Sequence, residues 1–254
     1  MLRTMYAFFV FGLVAIVSSA SYAATITVDG SNPNGWAFSN TDNSNDAASG
    51  GYVIGPATPP LGNGSANLVV NDPTKESSEI LRDVSIQPDL TSGFSASYYT
   101  YVTSNSVGTT EGATPLLEFD LTKGSYQGRL VFDPGDVSGD VTLGTWQSWD
   151  VTSVNGWWFS HSLDGATCTI NAPCSFATAE AFLSANSIAA EDVLFKAGSD
   201  QTGYNGNVDD FTLAFGGTSN TYNFDVPEPA SLSLFAVALI GLWGFTWIRR
   251  RKAS

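Results

Sequence analysis

Between residues 24 and 225, apolar side chains recur at alternate positions in short runs, and Gly, Asn, Asp, Ser and Pro separate the runs. Alternation sends successive side chains to opposite faces of a pleated strand, so each run reads as a strand with one buried face. In 93–102 (GFSASYYTYV), Phe94, Ala96, Tyr98 and Val102 share one face, while Ser95, Ser97, Tyr99 and Tyr101 share the other. In 115–121, Leu117, Phe119 and Leu121 oppose Glu118 and Asp120; in 126–133, Tyr126, Leu130 and Phe132 oppose Gln127 and Arg129. Runs at 145–151, 156–161, 193–197 and 209–215 add further strands. One helix is expected over 176–185, capped by Ser175, with Phe176, Ala179, Phe182 and Leu183 at helical spacing. Residues 40–51 and 55–64 read as loops. Many short strands with turn-forming separators predict an all-β sandwich with one short helix, and no composition break divides it.

The two ends differ from this body. Residues 1–23 combine Arg3, an apolar stretch over 7–17 and the small-residue site Ser21-Tyr22-Ala23, the layout of a secretory signal peptide cleaved before Ala24. Residues 230–248 (ASLSLFAVALIGLWGFTWI) are uncharged and long enough to cross the ~30 Å hydrocarbon layer as a transmembrane helix. Arg249, Arg250, Arg251 and Lys252 follow at once, and the positive-inside rule puts them in the cytoplasm. Directly before the span stands Val226-Pro227-Glu228-Pro229, extended because its prolines suit neither a helix nor a sheet interior. The chain thus divides into a signal peptide (1–23), a single ectodomain (24–225) and a C-terminal signal (226–254).

A Pro-Glu-Pro motif, a transmembrane stretch and an Arg cluster in that order resemble the PEP-CTERM sorting signal. The resemblance implies recognition of Val226, Pro227, Glu228, Pro229, Arg249, Arg250 and Arg251 by an exosortase, a membrane transpeptidase-like cysteine enzyme of Gram-negative bacteria that make exopolysaccharide. It further implies Sec-dependent export, anchoring in the inner membrane with the body outside the cytoplasm, and release by processing near 227–229. In the body, Gly128, Leu130 to Pro134, Gly144 to Asp150, Gly156 to Trp158 and Gly206 to Phe211 resemble an uncharacterised secreted bacterial domain. That domain is jelly-roll-like, similar in outline to carbohydrate-binding and concanavalin-A-like sandwiches, and brings no established activity. Sandwiches of this kind often hold a structural calcium, which the resemblance would place between Asp29 and Asp209 or Asp210; no other cofactor is expected.

Charge narrows the partners. Five of the ten bases are Arg3, Arg249, Arg250, Arg251 and Lys252, and Glu228 is the one acid beyond 226, so residues 24–226 carry 5 bases against 23 acids, a net −18. Such a body repels phosphate backbones, which excludes nucleic acid as a partner. A single His excludes any multi-histidine metal site.

Candidate chemistry is sparse. Cys168 and Cys174 in an exported chain most simply form a disulfide. Glu118-Phe119-Asp120 matches two carboxylates of the Glu-x-Asp-x-x-Glu pattern of retaining jelly-roll glycosidases, but Lys123 stands at the third position. A turn at Lys123-Gly124 would instead set Glu118 opposite Arg129 as an exposed cross-strand ion pair. His161 has no Gly-x-Ser-x-Gly nucleophile to serve. Asp133, Asp136 and Asp140 lack calcium-hand spacing and suit turns. Trp146, Trp149, Trp157 and Trp158 fall within thirteen residues, near Asp150. Aromatic faces stack on sugar rings, although alternation buries about half of such a set and sends Trp146 and Trp149 opposite ways. The sequence therefore reads as an exported envelope or extracellular-matrix protein, processed by an exosortase and non-catalytic, binding exopolysaccharide or acting as an adhesive module. The alternatives are a passive structural matrix protein and a polysaccharide-active enzyme.

Overall fold

A computed structural model describes residues 23–40, 48–71, 78–105, 114–124, 126–138, 141–161, 163, 165–198 and 203–227. Residues 1–22 of the expected signal peptide, Glu228, Pro229, the 230–248 stretch and Arg249 to Arg251 lie outside them. Among the described residues no helix is long and apolar enough to cross a membrane.

The chain forms two sheets around one aromatic core. In order the elements are β1 (Ala24–Val28), β2 (Trp36–Asn40), β3 (Ala48–Ile54), β4 (Gly64–Val70), β5 (Ser78–Asp83), β6 (Ser95–Ser104), β7 (Leu116–Lys123), β8 (Tyr126–Phe132), α1 (Gly135–Ser138), β9 (Trp146–Asp150), β10 (Asn155–Phe159), β11 (Cys174–Ser175), α2 (Phe176–Asn186), β12 (Ala189–Ala190), β13 (Val193–Gly198), β14 (Tyr204–Phe215) and β15 (Thr218–Phe224). Sheet I has seven strands in the order β1-β15-β14-β4-β3, with β6 joining β14 to β9; sheet II has eight, β11-β10-β8-β7-β13-β5-β2, with β12 beside β7. The chain crosses repeatedly between sheets, as a jelly-roll-like sandwich requires.

The inward faces are those the alternation marked: Tyr98, Leu117, Phe119, Leu130, Phe132 and Phe195 are wholly buried. Trp36 sits at the centre of one end, 5.1–6.0 Å from the rings of Phe195, Phe211, Tyr222 and Phe224. Each buried ring removes roughly 150–250 Å² from water, worth about 4–6 kcal/mol before ordering costs. Ser175 caps α2 as expected, its hydroxyl accepting from Thr178 N (3.3 Å).

Three expectations are corrected. A second helix, α1, occupies the segment read as a turn, with Asp133 Oδ1 accepting from Gly135 N (2.8 Å) at its start. Residues 48–51 are strand rather than loop, because their small side chains let β3 pair along β4 from Ala48↔Val70 onward. The β7–β8 turn lies one residue later than expected, with Lys123 opposite Tyr126 and Gly124 at φ 60°, the left-handed conformation glycine tolerates. Consequently Asp120, not Glu118, stands directly opposite Arg129.

Candidate functional site

The structure separates the four clustered tryptophans. Trp149, on the inward face of β9, is 6% exposed and donates its indole N–H to Thr100 Oγ1 (2.7 Å). Trp157 is wholly buried, packs on Phe119, Phe132 and Phe176, and donates to Val151 O (2.7 Å). These two are core and offer nothing to a ligand. Trp158 points to the outer face of sheet II, opposite Val131, and Trp146 to the outer face of sheet I, opposite Tyr101. Asp150 accepts from the backbone N–H (3.2 Å) and hydroxyl (2.9 Å) of Thr152. Slight burial raises its carboxyl, but Thr152 and Ser153 outweigh that and hold it below the usual range.

The outer face of sheet II is closed by its own side chains. Arg129 bonds Glu118 Oε2 (2.7 Å) and Asp120 Oδ1 (2.6 Å), and Arg82 bonds Asp120 (2.8 Å) and forms a looser ion pair with Asp192 (3.4 Å). Glu118 is 2% exposed and Arg129 half-buried, so their pair is part-buried and diagonal rather than an exposed facing pair. Flanking carboxylates raise the Arg129 pKa, outweighing the burial that would lower it. With Leu194 and Val131 also buried there, this face presents a paired network of two guanidiniums and three carboxylates.

The outer face of sheet I is different. Pairing runs Gly51↔Asn67↔Asn207↔Tyr101↔Trp146 across five strands, which places these residues in one row on one face. The Trp146 and Tyr101 rings lie 5.5 Å apart and tilted by 58°, both half-buried, with half-buried Tyr99 one step along β6. Beside them Asn67 Nδ2 donates to Asn205 Oδ1 (2.7 Å) and Asn207 Oδ1 (3.1 Å), fixing a cluster of amides. The segment 55–63 leans over this face: Pro56 O accepts from Trp146 Nε1 (3.0 Å), and Leu61 N donates to Asp209 Oδ2 (3.0 Å). Sequence reasoning missed Tyr101, Tyr99 and the asparagines. Their alternation was legible, but which strands would lie side by side was not.

Asp29 closes a turn, accepting from Ser31 N (2.7 Å), Ser31 Oγ (2.6 Å) and Asn32 N (2.8 Å); the Ser31 hydroxyl chiefly lowers its pKa. Asp209 is wholly buried, and its other oxygen accepts from Phe224 N (3.2 Å). Burial pushes Asp209 up to about 7 against the pull of those amides, and burial also raises Asp210. Among the described residues no three His, Cys, Asp or Glu side chains gather as metal ligands, Asp29, Asp209 and Asp210 included. Cys168 and Cys174 are joined in a disulfide with Cα atoms 5.3 Å apart. His161 is exposed, its Nδ1 3.1 Å from Ser160 Oγ.

Fold and tail together define a β-sandwich protein that carries a sorting signal. Residues 225–252 match the PEP-CTERM protein-sorting motif, so the chain is an exosortase-sorted protein, exported and anchored in the membrane before cleavage. Asp225, Val226 and Pro227 begin that match directly after β15. No curated protein matches the chain. Among solved structures, the fold is similar to a family 11 carbohydrate-binding module from Clostridium thermocellum, in complex with a beta-1,3-1,4-mixed-linked tetrasaccharide. That likeness has 8% identity and a TM-score of 0.40, covering 75% of this chain and 94% of the module.

Proposed function

We propose that this exosortase-sorted protein is a non-catalytic binding module, released to the cell surface or matrix, that holds exopolysaccharide on the outer face of sheet I. The Trp146–Tyr101 pair beside Asn67 and Asn205 carries the reading. A sugar ring offers an apolar C–H face and a rim of hydroxyls, and this row supplies aromatic surface and amide partners in register. The row bears no Lys or Arg, so the ligand is a neutral rather than an anionic polymer. Binding is weak per site and gains strength from many copies on one matrix. Paired carboxylates that would support hydrolysis do not favour an enzyme here, since Glu118 and Asp120 are both held by Arg129.

Retention of the purified body on immobilised host polysaccharide tests this. Tyr101→Ala and Trp146→Ala should abolish retention while lowering stability by less than about 2 kcal/mol, since neither ring is fully buried. Undiminished retention by both variants would eliminate the sheet I face. Absence of any retention by the wild type would leave the protein a passive matrix component.

A further inference from the structure

We propose that the folded body, through the rim from which the sorting signal leaves it, abuts the membrane enzyme that processes the signal. The inference rests on the sorting motif and on how little chain separates it from the sandwich. Strand β15 ends at wholly buried Phe224, and Asp225 N still donates to Val28 O (2.9 Å). Asp225 Oδ1 holds both Val226 N (2.8 Å) and Asn63 N (3.3 Å). A Cβ at Gly64 would lie 2.7 Å from Val226 N, so the departing chain is pressed against the start of β4. Packing therefore persists to the residue before Pro227.

The uncharged stretch begins at Ala230, which leaves residues 226–229 between body and bilayer. Four fully extended residues span at most about 14 Å. Pro227, Glu228 and Pro229 fill that gap, and even a 100-residue domain has a radius of gyration of about 13 Å. An enzyme that grips the motif cannot do so clear of the sandwich. The surfaces it meets are the turn after β1 and the segment 55–63, which flank the departing chain.

That rim suits a protein partner better than a lipid surface. Ile54, opposite Gly64 on the neighbouring strand, is 77% exposed beside the departing chain. Ser31, Asn32, Asn34 and Asn63 are exposed and uncharged. The rim's acidic side chains are Asp29 and Asp225, with no Lys or Arg in 28–35, 54–64 or 225–227. Anionic headgroups attract basic segments, and this rim offers none.

Pulse–chase conversion of the anchored form to the processed form, in a host that carries the enzyme, tests the proposal. The rim variants are Gly30→Trp, where a Cβ would meet nothing within 4 Å, and Ile54→Lys at an exposed position. Each is made in the native chain and in a chain with twelve Gly/Ser residues inserted between Asp225 and Val226, a spacer of about 20 Å. Both should slow conversion at least fivefold in the native chain and not in the spaced one. Conversion within twofold of wild type, or equal slowing in both chains, would overturn the proposal. A Glu228→Ala chain still processed at the wild-type rate would show instead that the sorting reading had failed, and the proposal would fall with it.

Discussion

Asp209 should make this protein lose stability as pH rises through neutrality. Its carboxyl is wholly buried and titrates at about 7 in the folded chain, against an ordinary value of 3.8. Between those values the unfolded chain has released the proton and the folded chain still holds it, so each rise in pH favours unfolding. The loss begins near pH 4, is complete above about 7, and sums to about 4 kcal/mol. Asp209→Asn removes the titration. Its amide would face Leu61 N or Phe224 N where a second acceptor stood, a pH-independent cost of about 1–3 kcal/mol. Urea unfolding of both proteins at pH 5 and 8 separates the two effects. The wild type should lose about 3 kcal/mol relative to the variant over that interval. Subtraction also cancels the other carboxyls, since Asp192 and Asp210 are raised while Asp29 and Asp150 are lowered. A stability difference that does not change with pH would refute the assignment, and NMR titration of the Asp209 carboxyl would then show it ionised well below 7.

Arg129→Ala should cost about 3–5 kcal/mol in chemical denaturation, because it strands the buried Glu118 carboxylate, and Glu118→Leu in the same chain should recover most of it. A loss below 1 kcal/mol would mean that water reaches Glu118. Reducing the Cys168–Cys174 bond should lower stability by about 2 kcal/mol on the loop-entropy account, read as a shifted urea midpoint with and without reductant. Trp157→Ala should cost at least about 3 kcal/mol and Trp146→Ala distinctly less, a ranking that thermal unfolding checks directly. Intact mass of the secreted protein should end near residues 227–229, and recovery of the Arg249 to Lys252 peptide on it would exclude processing there.

The strands legible in the sequence were those whose alternation is strong and apolar, such as β6, β7, β8 and β13. Strands β3 (ASGGYVI) and β15 (TSNTYNF) were not, because small and polar residues take up strand geometry there through their neighbours. Alternation correctly sent Trp146 and Trp149 opposite ways. It could not say which was buried, since that depends on Thr100 waiting across β6 to receive the Trp149 N–H. The environment of Asp209 was invisible for a similar reason: its partner Leu61 lies 148 residues away. The register of the β7–β8 hairpin turned on one residue, Gly124, at the left-handed position. The sorting signal was readable because its order of motif, apolar stretch and basic cluster needs no tertiary partner.

Strand β1 runs parallel to β15, from Ala24↔Asn220 to Val28↔Phe224, and among the described residues it borders no other strand. The first strand thus waits for the last, and β14 beside it is the hub on which β4, β6 and β15 all pair. Sheet I cannot be completed until the last of some 200 residues is in place, and contacts so distant in sequence form slowly. Closure of sheet I therefore waits for the strand that directly precedes the sorting motif, and a chain that stops short of β15 leaves β1 without the partner it pairs with.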